Sequence, residues 1–331
     1  MKIAYYNRNL RCGYSLDIVH KTLVQALIRE FAVKEGDIKE YYMPMSRAYP
    51  WHCIINIAYT LFHRRKHTIN HQTGDNHYLL LGLIGSKCVV TIHDLVSLER
   101  TRNRLKWMYK YLFYLYFPVK IADKIICISN QTKNDVLKYI NTEKITVIYN
   151  SVNPAYKYIP KTFNKDNPII LHIGTGWNKN LDRVIMALKG INCRLRIIGG
   201  VSKEQMNLLN DCKIDYSVGI NLSNEQIIKE YQKCDVVSFP SVYEGFGMPI
   251  VEGQKTGRIV VTSHIEPLLE ISDHAAILVN PRDIESMRKG FRQAIENDAL
   301  REQLIEKGLM NATKFNCRDI AAQYMHLYNN L

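Results

Sequence analysis

The residues best placed to do chemistry are two glutamates, Glu244 and Glu252, separated by seven residues. A short apolar run, Val236–Phe239, precedes them and predicts a buried strand, and Glu252 falls in the first turns of the helix that should follow. Because ligands of parallel α/β sheets bind at the carboxyl ends of the strands, Glu244 is in position to contact one. The alternative is that Glu244 only stabilises the N-terminus of the helix.

The segment between the two glutamates suits an anion. Gly245 and Gly247 let a ligand approach the backbone closely. Pro249 fits the first helical position. The N–H groups near Ile250 and Val251 would then be free, as they are in phosphate sites at helix N-termini. Together these features predict an anion-binding loop after a buried strand.

Two further candidate sites follow predicted strands elsewhere in the chain. Gly174 and Lys179 come after the run 169–173, and His93 comes after the run 88–92. Taken alone, Lys179 could be an ordinary surface lysine and His93 a core histidine, since histidines are commonly half-buried without binding a ligand. Their place after strands is what makes them candidates.

A dinucleotide-binding loop is a weaker interpretation of the same region. The triplet Gly174-Thr175-Gly176 follows a predicted strand, as the Gly-x-Gly-x-x-Gly fingerprint requires. Lys179 occupies the position of the third glycine, and no acidic residue ends the next predicted strand, 194–198. A nicotinamide-dependent enzyme is therefore the least favoured alternative.

Short apolar runs alternate with helical patterns, which is typical of βαβ units and parallel sheets. The predicted strands are 2–6, 88–92, 124–128, 145–149, 169–173, 194–198, 214–218, 236–239 and 259–262. The predicted helices are 15–31, 181–189, 225–232, 249–256, 285–297 and 317–328. The polar segment 156–168 carries two prolines and predicts a linker between two α/β domains, residues 1–160 and residues from 161 onward.

Composition and charge exclude several classes of protein. The chain has 331 residues, of which 47% are hydrophobic, so an intrinsically disordered or fibrous protein is excluded. No apolar run approaches the length that spans a bilayer, and the apolar N-terminal run is too short for a signal peptide. The eight cysteines form no Cys-x-x-Cys pair, which removes support for a zinc or redox motif. We therefore expect a cytoplasmic protein.

The net charge of +13 is unevenly distributed, because residues 1–160 carry +12 and residues 161–331 carry +1. The densest basic stretch, 100–124, interleaves aromatic residues and could lie on an anionic membrane surface. The alternative is a half-buried helix whose aromatics pack in the core. We interpret the cluster of basic residues and histidines in 63–71 as a solvated face. The residues expected to contact a membrane or acceptor are Arg102, Arg104, Lys106, Trp107 and Lys110.

The segment "PSVYEGFGMPIVEG" around Glu244 and Glu252 resembles the Glu-x7-Glu motif of glycosyltransferase family 4, which comprises retaining enzymes of the GT-B fold. Weaker matches occur in the family's order along nearly the whole chain. They are Thr91-Ile92-His93-Asp94, 128–132, 147–152, Ile173-Gly174 with Lys179-Asn180, and 195–200. The resemblance implies an α/β fold with two Rossmann-like domains facing each other across a cleft. It also implies that the final helix, 314–331, returns to the first domain.

The resemblance implies roles for individual residues. Glu252 should bind the ribose of a nucleotide sugar, and Lys179, with Gly174 in its loop, should hold the diphosphate. Glu244 should lie beside the transferred sugar, with the amides of Gly245, Phe246 and Gly247 on its hydroxyls and the amides of Ile250 and Val251 nearby. His93 should contact the sugar from the opposite domain. Gly13 should let its loop, 10–15, close over the phosphates.

The implied activity is retaining transfer of a hexosyl unit from a UDP- or GDP-sugar to a glycan or lipid-linked acceptor. Residues 161–313 would bind the donor and residues 1–160 the acceptor, as part of cell-surface polysaccharide or lipopolysaccharide synthesis at the inner face of the cytoplasmic membrane. Neither a cofactor nor a metal ion is expected, since no Asp-x-Asp triplet occurs. Nucleic acid is not an expected partner.

The sequence departs from the family pattern at two places in the donor loops. Thr175 stands where many relatives carry an arginine, which leaves the phosphate grip with one cation fewer or with a substitute elsewhere. Only Gly13 is present where the N-terminal loop often has two glycines. A second hypothesis therefore stays open, a non-catalytic nucleic-acid-binding or membrane-binding protein built on an inactive transferase scaffold, for which the +12 half is the motive.

Overall fold

The computed structural model describes residues 1–9 and 15–331. The described chain divides into two compact units. The first consists of Met1–Asn153 together with Cys317–Leu331, and the second of Pro154–Asn316. The chain therefore passes from one unit to the other twice, once at each end of the second unit.

The first unit has a six-stranded sheet and seven helices among its described residues. Its strands are β1 (Ile3–Asn7), β2 (Ile38–Tyr42), β3 (Ile69–Gln72), β4 (Cys88–Ile92), β5 (Lys124–Cys127) and β6 (Ile145–Val147). Its helices are α1 (Ser15–Phe31), α2 (Pro50–His63), α3 (Val96–Glu99), α4 (Arg104–Lys110), α5 (Phe117–Ile121), α6 (Asn130–Leu137) and α14 (Cys317–Asn329). A π-helical segment, Tyr111–Tyr116, joins α4 to α5.

The second unit repeats this plan with its own six-stranded sheet. Its strands are β7 (Ile169–Ile173), β8 (Arg194–Ile198), β9 (Asp215–Gly219), β10 (Val236–Phe239), β11 (Ile259–Ser263) and β12 (Ile277–Val279). Its helices are α7 (Leu181–Leu188), α8 (Lys203–Asp211), α9 (Asn224–Lys233), α10 (Met248–Thr256), α11 (Leu268–Ser272), α12 (Ile284–Glu296) and α13 (Asp298–Ala312).

Both sheets are parallel throughout, with strand orders β2-β1-β3-β4-β5-β6 and β12-β11-β10-β7-β8-β9. Each order reverses direction once, between β1 and β3 in the first unit and between β7 and β10 in the second. In such doubly wound sheets the loops after the two strands at the reversal leave on opposite faces, and this opens a crevice for ligands. The topology therefore selects the loops after β7 and β10 in the second unit.

The expected α/β architecture with two Rossmann-like units is confirmed by this topology. Apolar side chains of the strands are almost fully buried, as in a sheet covered on both faces. The runs that predicted β4, β7, β8 and β10 begin and end at the predicted residues. Among the described residues no helix has the length and apolar character needed to cross a membrane.

Strand β3 is polar and was missed by the hydrophobic pattern, although it lies at the centre of the first unit. Its Asn70, His71 and Gln72 are wholly buried, and each is hydrogen-bonded. The interpretation of 63–71 as a solvated basic face is therefore wrong for His71. Burial lowers the pKa of His71 to about 3, so this imidazole is neutral at pH 7.

The predicted linker 156–168 begins inside the second unit and does not simply connect two bodies. Tyr156 is buried, with its ring edge-to-face on Tyr231 at 5.3 Å between centroids. The backbone carbonyl of Ile159 accepts a hydrogen bond from Arg258, and the Lys161 ammonium pairs with the buried Asp235 carboxylate. These contacts explain why the second unit begins at Pro154 and not after residue 160.

The last helix, α14, belongs to the core of the first unit. Ile320, Ala321 and Leu327 are buried there with residues of α1 and β1. The Tyr328 hydroxyl lies 2.6 Å from His71 Nδ1 and 3.1 Å from the Tyr5 hydroxyl, which makes a buried polar chain from α14 to two strands.

Replacing Tyr328 with phenylalanine should destabilise the first unit. The substitution leaves His71 Nδ1 and the Tyr5 hydroxyl without their buried partner, a loss of about 1–3 kcal/mol in the free energy of unfolding. Urea denaturation followed by circular dichroism measures it. Tyr158→Phe, at a half-exposed position, is the matched control and should stay within about 0.5 kcal/mol of the parent. Equal stabilities for the parent and Tyr328→Phe would contradict this assignment.

Candidate active site

The loop after β7 is shaped by a glycine. Gly174 has a φ of +87°, and a Cβ placed on it would lie 2.9 Å from Lys179 Cγ. Any other residue would meet both backbone strain and the lysine side chain. Gly174 thus lets Lys179 fold back over the end of the strand, and the Lys179 ammonium lies 4.7 Å from the centre of the Phe239 ring at the end of β10.

Lys179 and Glu244 form an ion pair at the reversal point of the second sheet. Lys179 Nζ lies 2.6 Å from Glu244 Oε1, and both side chains are largely buried. Two residues that sequence reasoning assigned to the donor site from separate loops are therefore in direct contact. The pair fixes both side chains beside the crevice that the topology opens.

Asn178 joins the two loops and was not singled out from the sequence. Its Nδ2 donates to Glu244 Oε1 and to the Tyr243 carbonyl, both at 3.1 Å. Its backbone carbonyl accepts from the Val242 N–H at 2.9 Å. Asn180, two residues further along the chain, donates to the carbonyl of Pro240. Asn178 is next to the predicted Lys179, but nothing in its spacing to residue 244 marks it in the sequence.

The N-terminus of α10 differs from expectation at Ile250. Gly247 has a φ of +113°, and a Cβ on it would lie 2.7 Å from Leu268 Cδ2. The Ile250 N–H donates to the Gly247 carbonyl at 3.0 Å. The expectation that this N–H is free for an anion is therefore wrong, because the first turn of the helix closes on itself. The side chains of Ile250 and Val251 are buried in the core.

The loop before α10 is also held by the packing of the Phe246 side chain. Phe246 is buried and packs edge-to-face on Phe315, with ring centroids 5.8 Å apart. Gly245 precedes it and is half-buried. The Phe246 ring is thus a support for the loop, and its predicted role toward the sugar is limited to its backbone amide.

Glu252 lies one helical turn into α10 and is held by two tyrosines. Glu252 Oε2 accepts from the Tyr231 hydroxyl at 2.5 Å, and the Tyr156 hydroxyl also donates to this carboxylate. Burial raises the pKa of Glu252, and the two tyrosines and Lys179 partly offset that rise. Tyr156 lies in the segment that the sequence marked as a linker, so no sequence signal pointed to it.

Thr175 stands at the position of the missing arginine and is used inside the loop. Its hydroxyl donates to the Gly200 carbonyl at 2.5 Å. Gly199, with a φ of +133°, lies directly against it, since a Cβ there would be 3.2 Å from Thr175 Cγ2. The threonine therefore ties the loop after β7 to the loop after β8.

His93 lies in the first unit, directly after β4. Its Nε2 is 2.7 Å from the Thr73 carbonyl, which can only accept, so Nε2 carries the proton. Nδ1 is buried and has no hydrogen-bond partner among the described residues. Burial lowers the pKa of His93. His93 also lines a cavity together with Asn150 and Ser151.

The basic aromatic segment only partly matches its predicted role. Arg102, Arg104 and Lys106 are exposed. The Trp107 ring stacks on Tyr111 at 5.2 Å and packs against the core of the first unit, and Lys110 Nζ donates to the Ser97 carbonyl at 2.7 Å. The last two side chains thus serve the fold.

Two other expectations concern Gly13 and metal binding. Gly13 lies outside the described residues. Over the residues that the structure describes, no group of three or more His, Cys, Asp or Glu side chains is arranged to hold a metal ion.

The two doubly wound parallel sheets and the charged, glycine-shaped loops at one reversal point match the architecture of GT-B glycosyltransferases. The family models agree, since residues 13–156 match Glycosyltransferase Family 4 and residues 158–309 match Glycosyl transferases group 1. The chain belongs to glycosyltransferase family 4, as its Glu-x7-Glu motif predicted.

Several characterised proteins are similar to this chain. The O-antigen chain mannosyltransferase RfbU of Salmonella typhimurium is 29% identical over 63% of this chain, and the match spans 60% of that enzyme's length. The O-antigen chain mannosyltransferase B of Escherichia coli is 23% identical, with 83% of this chain and 80% of that protein covered. A UDP-Gal:alpha-D-GlcNAc-diphosphoundecaprenol alpha-1,3-galactosyltransferase of Escherichia coli is 25% identical, with coverages of 76% and 69%.

Solved structures confirm the fold. Sucrose-phosphate synthase from Thermosynechococcus elongatus matches with a TM-score of 0.78 at 15% identity, covering 99% of both chains. HepE of Anabaena, in complex with UDP and glucose, matches with a TM-score of 0.77 at 13% identity, covering 99% of this chain and 100% of that one. The predicted GT-B fold class is confirmed.

The state of His93 is open to direct measurement. In two-dimensional ¹H–¹⁵N spectra of the imidazoles, His93 should show a protonated Nε2 and an unprotonated Nδ1 at pH 7. It should also titrate below the ordinary histidine pKa of about 6.5, because burial disfavours the charged form. His93→Gln assigns the signal, and the exposed His67 is the internal control. A proton on Nδ1 at pH 7 would show that the Thr73 contact does not set the tautomer, and titration at or above that pKa would show that burial does not govern the charge of His93.

Proposed function

We propose that this chain transfers a hexosyl unit, with retention of configuration, from a UDP- or GDP-sugar to a glycan or lipid-linked acceptor. The observation that carries the proposal is the Lys179–Glu244 pair at the reversal point of the second sheet, with the tyrosine-held Glu252 near enough for the Lys179 charge to lower its pKa. The relatives' names, O-antigen mannosyltransferases and a galactosyltransferase with a diphosphoundecaprenol acceptor, favour a role in cell-surface polysaccharide or lipopolysaccharide synthesis.

Each of the three residues has a separate task in this proposal. Lys179 faces the diphosphate, whose negative charge grows as it leaves, and a fixed cation in a largely buried place stabilises that charge. Glu244, held by Asn178 and Lys179, accepts hydrogen bonds from the hydroxyls of the transferred sugar. Glu252 keeps one carboxylate oxygen on Tyr231 and offers the rest of its acceptor capacity to the ribose hydroxyls.

The bond changes balance without an enzymatic nucleophile. The bond between the anomeric carbon and the phosphate oxygen breaks, and the acceptor oxygen bonds to that carbon on the same face. The acceptor's proton moves to the departing phosphate. His93, with Nδ1 free to accept, orients a sugar hydroxyl in this scheme. Neither a metal ion nor another cofactor takes part in the proposed reaction.

Acceptor binding is assigned to the first unit, and the site of action to the inner face of the cytoplasmic membrane. The charge supports this division, because residues 1–160 carry +12 and residues 161–331 carry +1. An anionic acceptor such as a lipid-linked diphosphate, or an anionic leaflet, would use that excess. Residues 161–331 are nearly neutral overall, and in this proposal they bind the nucleotide through individual side chains such as Lys179.

The proposal is tested with Glu244→Ala and His93→Ala. A thermal-shift panel of UDP-, GDP- and ADP-sugars first identifies the donor, and donor hydrolysis or transfer is then measured. Each variant should remain folded and lose at least about 100-fold in turnover, the size of loss typical for a transition-state contact. Exposed residues of the same types supply the controls, Glu225→Ala and His67→Ala, which should keep parental turnover. EDTA should leave the parental rate unchanged.

Near-normal transfer by both variants would falsify the assigned roles. No stabilisation by any sugar nucleotide, combined with tight, salt-sensitive binding of an oligonucleotide, would instead favour a non-catalytic binding protein on a transferase scaffold.

Tyr231→Phe should weaken donor binding without removing a group that touches the donor. The substitution removes a hydrogen bond to a charged acceptor, worth about 1.5–3 kcal/mol, and raises the pKa of Glu252 further. The dissociation constant of the sugar nucleotide should rise about tenfold at pH 7. The loss should grow as the pH falls, because more of the Glu252 carboxylate is protonated.

Tyr216→Phe, a half-buried tyrosine of β9, is the matched control, and calorimetry at several pH values gives the constants. A pH-independent effect, or none, would show that Tyr231 does not act through Glu252.

A further inference from the structure

Helix α2 buries polar side chains while it exposes large apolar ones. Asn56 and Thr60 point into the first unit and are wholly buried, while Ile54 is 66% exposed and Phe62 is 84% exposed. The outward face continues with further large apolar side chains at helical spacing. These residues, which we call the α2 stripe, are Trp51, Ile54, Ile55, Leu61 and Phe62.

Hydrogen bonds and close packing hold the buried face of α2 in place. The Asn56 amide donates to the Met45 carbonyl at 3.1 Å and to the Tyr78 hydroxyl at 2.9 Å, and its oxygen accepts from the Met45 N–H at 3.0 Å. On the same inner side Gly82 is so close that a Cβ would lie 2.6 Å from the Ile57 carbonyl oxygen. Because the inner face is satisfied and tightly packed, the helix cannot rotate its apolar side chains inward.

Basic residues lie at both ends of the α2 stripe. Arg47 precedes the helix, and Arg64, Arg65 and Lys66 follow it directly. No acidic residue occurs from position 41 to position 74. At the N-terminal end the rings of Tyr49 and Trp51 stack at 5.0 Å, an aromatic pair of the kind enriched at membrane interfaces.

We propose that the α2 stripe is a membrane-docking surface that inserts its apolar side chains into a bilayer carrying anionic lipid. A bilayer takes the exposed apolar side chains out of water, and the flanking arginines and lysine meet the headgroup phosphates. The surface adds an attachment site to the transferase proposed above and does not depend on that activity.

Charge decides between a bilayer and a second copy of this chain as the occupant. Two copies joined through the stripe would bring their basic ends together with no acid from positions 41–74 to compensate. An anionic leaflet has the complementary charge. The half of the chain that carries the stripe also carries nearly all of the net positive charge.

The stripe adjoins the basic aromatic segment that the sequence favoured for this role. The Tyr109 hydroxyl lies 3.6 Å from Cys53 Sγ, so the end of α4 lies against the N-terminal half of α2. On α4 itself Leu105 and Met108 are exposed, whereas Trp107 packs inward. The apolar surface proposed to enter the membrane is therefore α2 and not the segment 100–124. Arg102, Arg104 and Lys106 are exposed cations beside α2.

The test is sedimentation of the full chain with vesicles of phosphatidylcholine alone and of phosphatidylcholine with 30% phosphatidylglycerol. The parent should bind the anionic vesicles at least tenfold more tightly. Ile54→Ser with Phe62→Ser should weaken that binding at least tenfold. Arg65→Gln with Lys66→Gln should weaken it about fivefold for each charge removed, and 0.5 M salt should remove most of the difference between the two lipids.

Matched controls in the second unit separate the stripe from general surface effects. Ile220→Ser with Met310→Ser replaces two exposed apolar residues there, and Lys289→Gln with Lys307→Gln removes two exposed charges. Both should bind like the parent. A variant with Trp107→Phe and Trp177→Phe keeps Trp51 as its single tryptophan, whose emission should be quenched by brominated lipid in the anionic vesicles.

Several outcomes would overturn the proposal. These are parental binding by the stripe variant, equal losses in stripe and control variants, and failure of the parent to bind anionic vesicles. A concentration-dependent dimer lost in Ile54→Ser with Phe62→Ser, without vesicle binding, would make the stripe a contact between copies.

If that pair fails to fold, Trp51→Gln with Ile55→Gln replaces it. Sugar-nucleotide hydrolysis in solution is measured in parallel. The stripe variants should keep it, and Glu244→Ala should lose it while still binding vesicles, so the two proposals fail separately.

Discussion

The contact between Lys179 and Glu244 connects the topology of the second sheet to its chemistry. The loops after β7 and β10 leave adjacent strands at the reversal of strand order, and without a bond between them they would be free to diverge. The ion pair, with Asn178 donating to the same carboxylate oxygen, binds one loop to the other. The positive φ of Gly174 makes the pair possible, because a side chain there would displace Lys179.

This constraint explains why both charges can stay largely buried. A buried ion pair is stable only when its remaining hydrogen-bonding capacity is met, and here Asn178 supplies a further donor while Phe239 presents a ring face to the ammonium. Glu252 follows the same rule with two tyrosine donors in place of a cation. Hydrogen-bond donors thus hold both carboxylates in place, so a ligand would meet carboxylates that are already oriented.

The sequence predicted those elements that depend on residues close to one another along the chain. Apolar runs bounded by turns predicted β4, β7, β8 and β10 at their observed residues, and glycine spacing predicted the loop around Gly247. It missed β3, because Asn70, His71 and Gln72 are polar, and the partners that allow Asn70 and His71 to be buried, Tyr6 and Tyr328, are far away in the chain. Tyr156 and Asn178 were missed for the same reason. The free N–H predicted at Ile250 was wrong because Gly247 lets its carbonyl close the first turn of α10.

The two units also differ in how their charged side chains are paired. In the second unit charged side chains are paired with neighbours of opposite charge, Lys179 with Glu244 and, between β8 and α9, Arg196 with Glu230, and little excess remains. In the first unit part of the excess, Arg47, Arg64, Arg65 and Lys66, lies at the ends of a helix that buries hydrogen-bonded polar side chains and exposes large apolar ones. Ile54 and Phe62 leave most of their apolar surface in water, whereas the buried Asn56 is tolerated because it makes three hydrogen bonds. If α2 docks on a bilayer as proposed, the membrane takes these side chains out of water and its anionic headgroups meet the flanking cations.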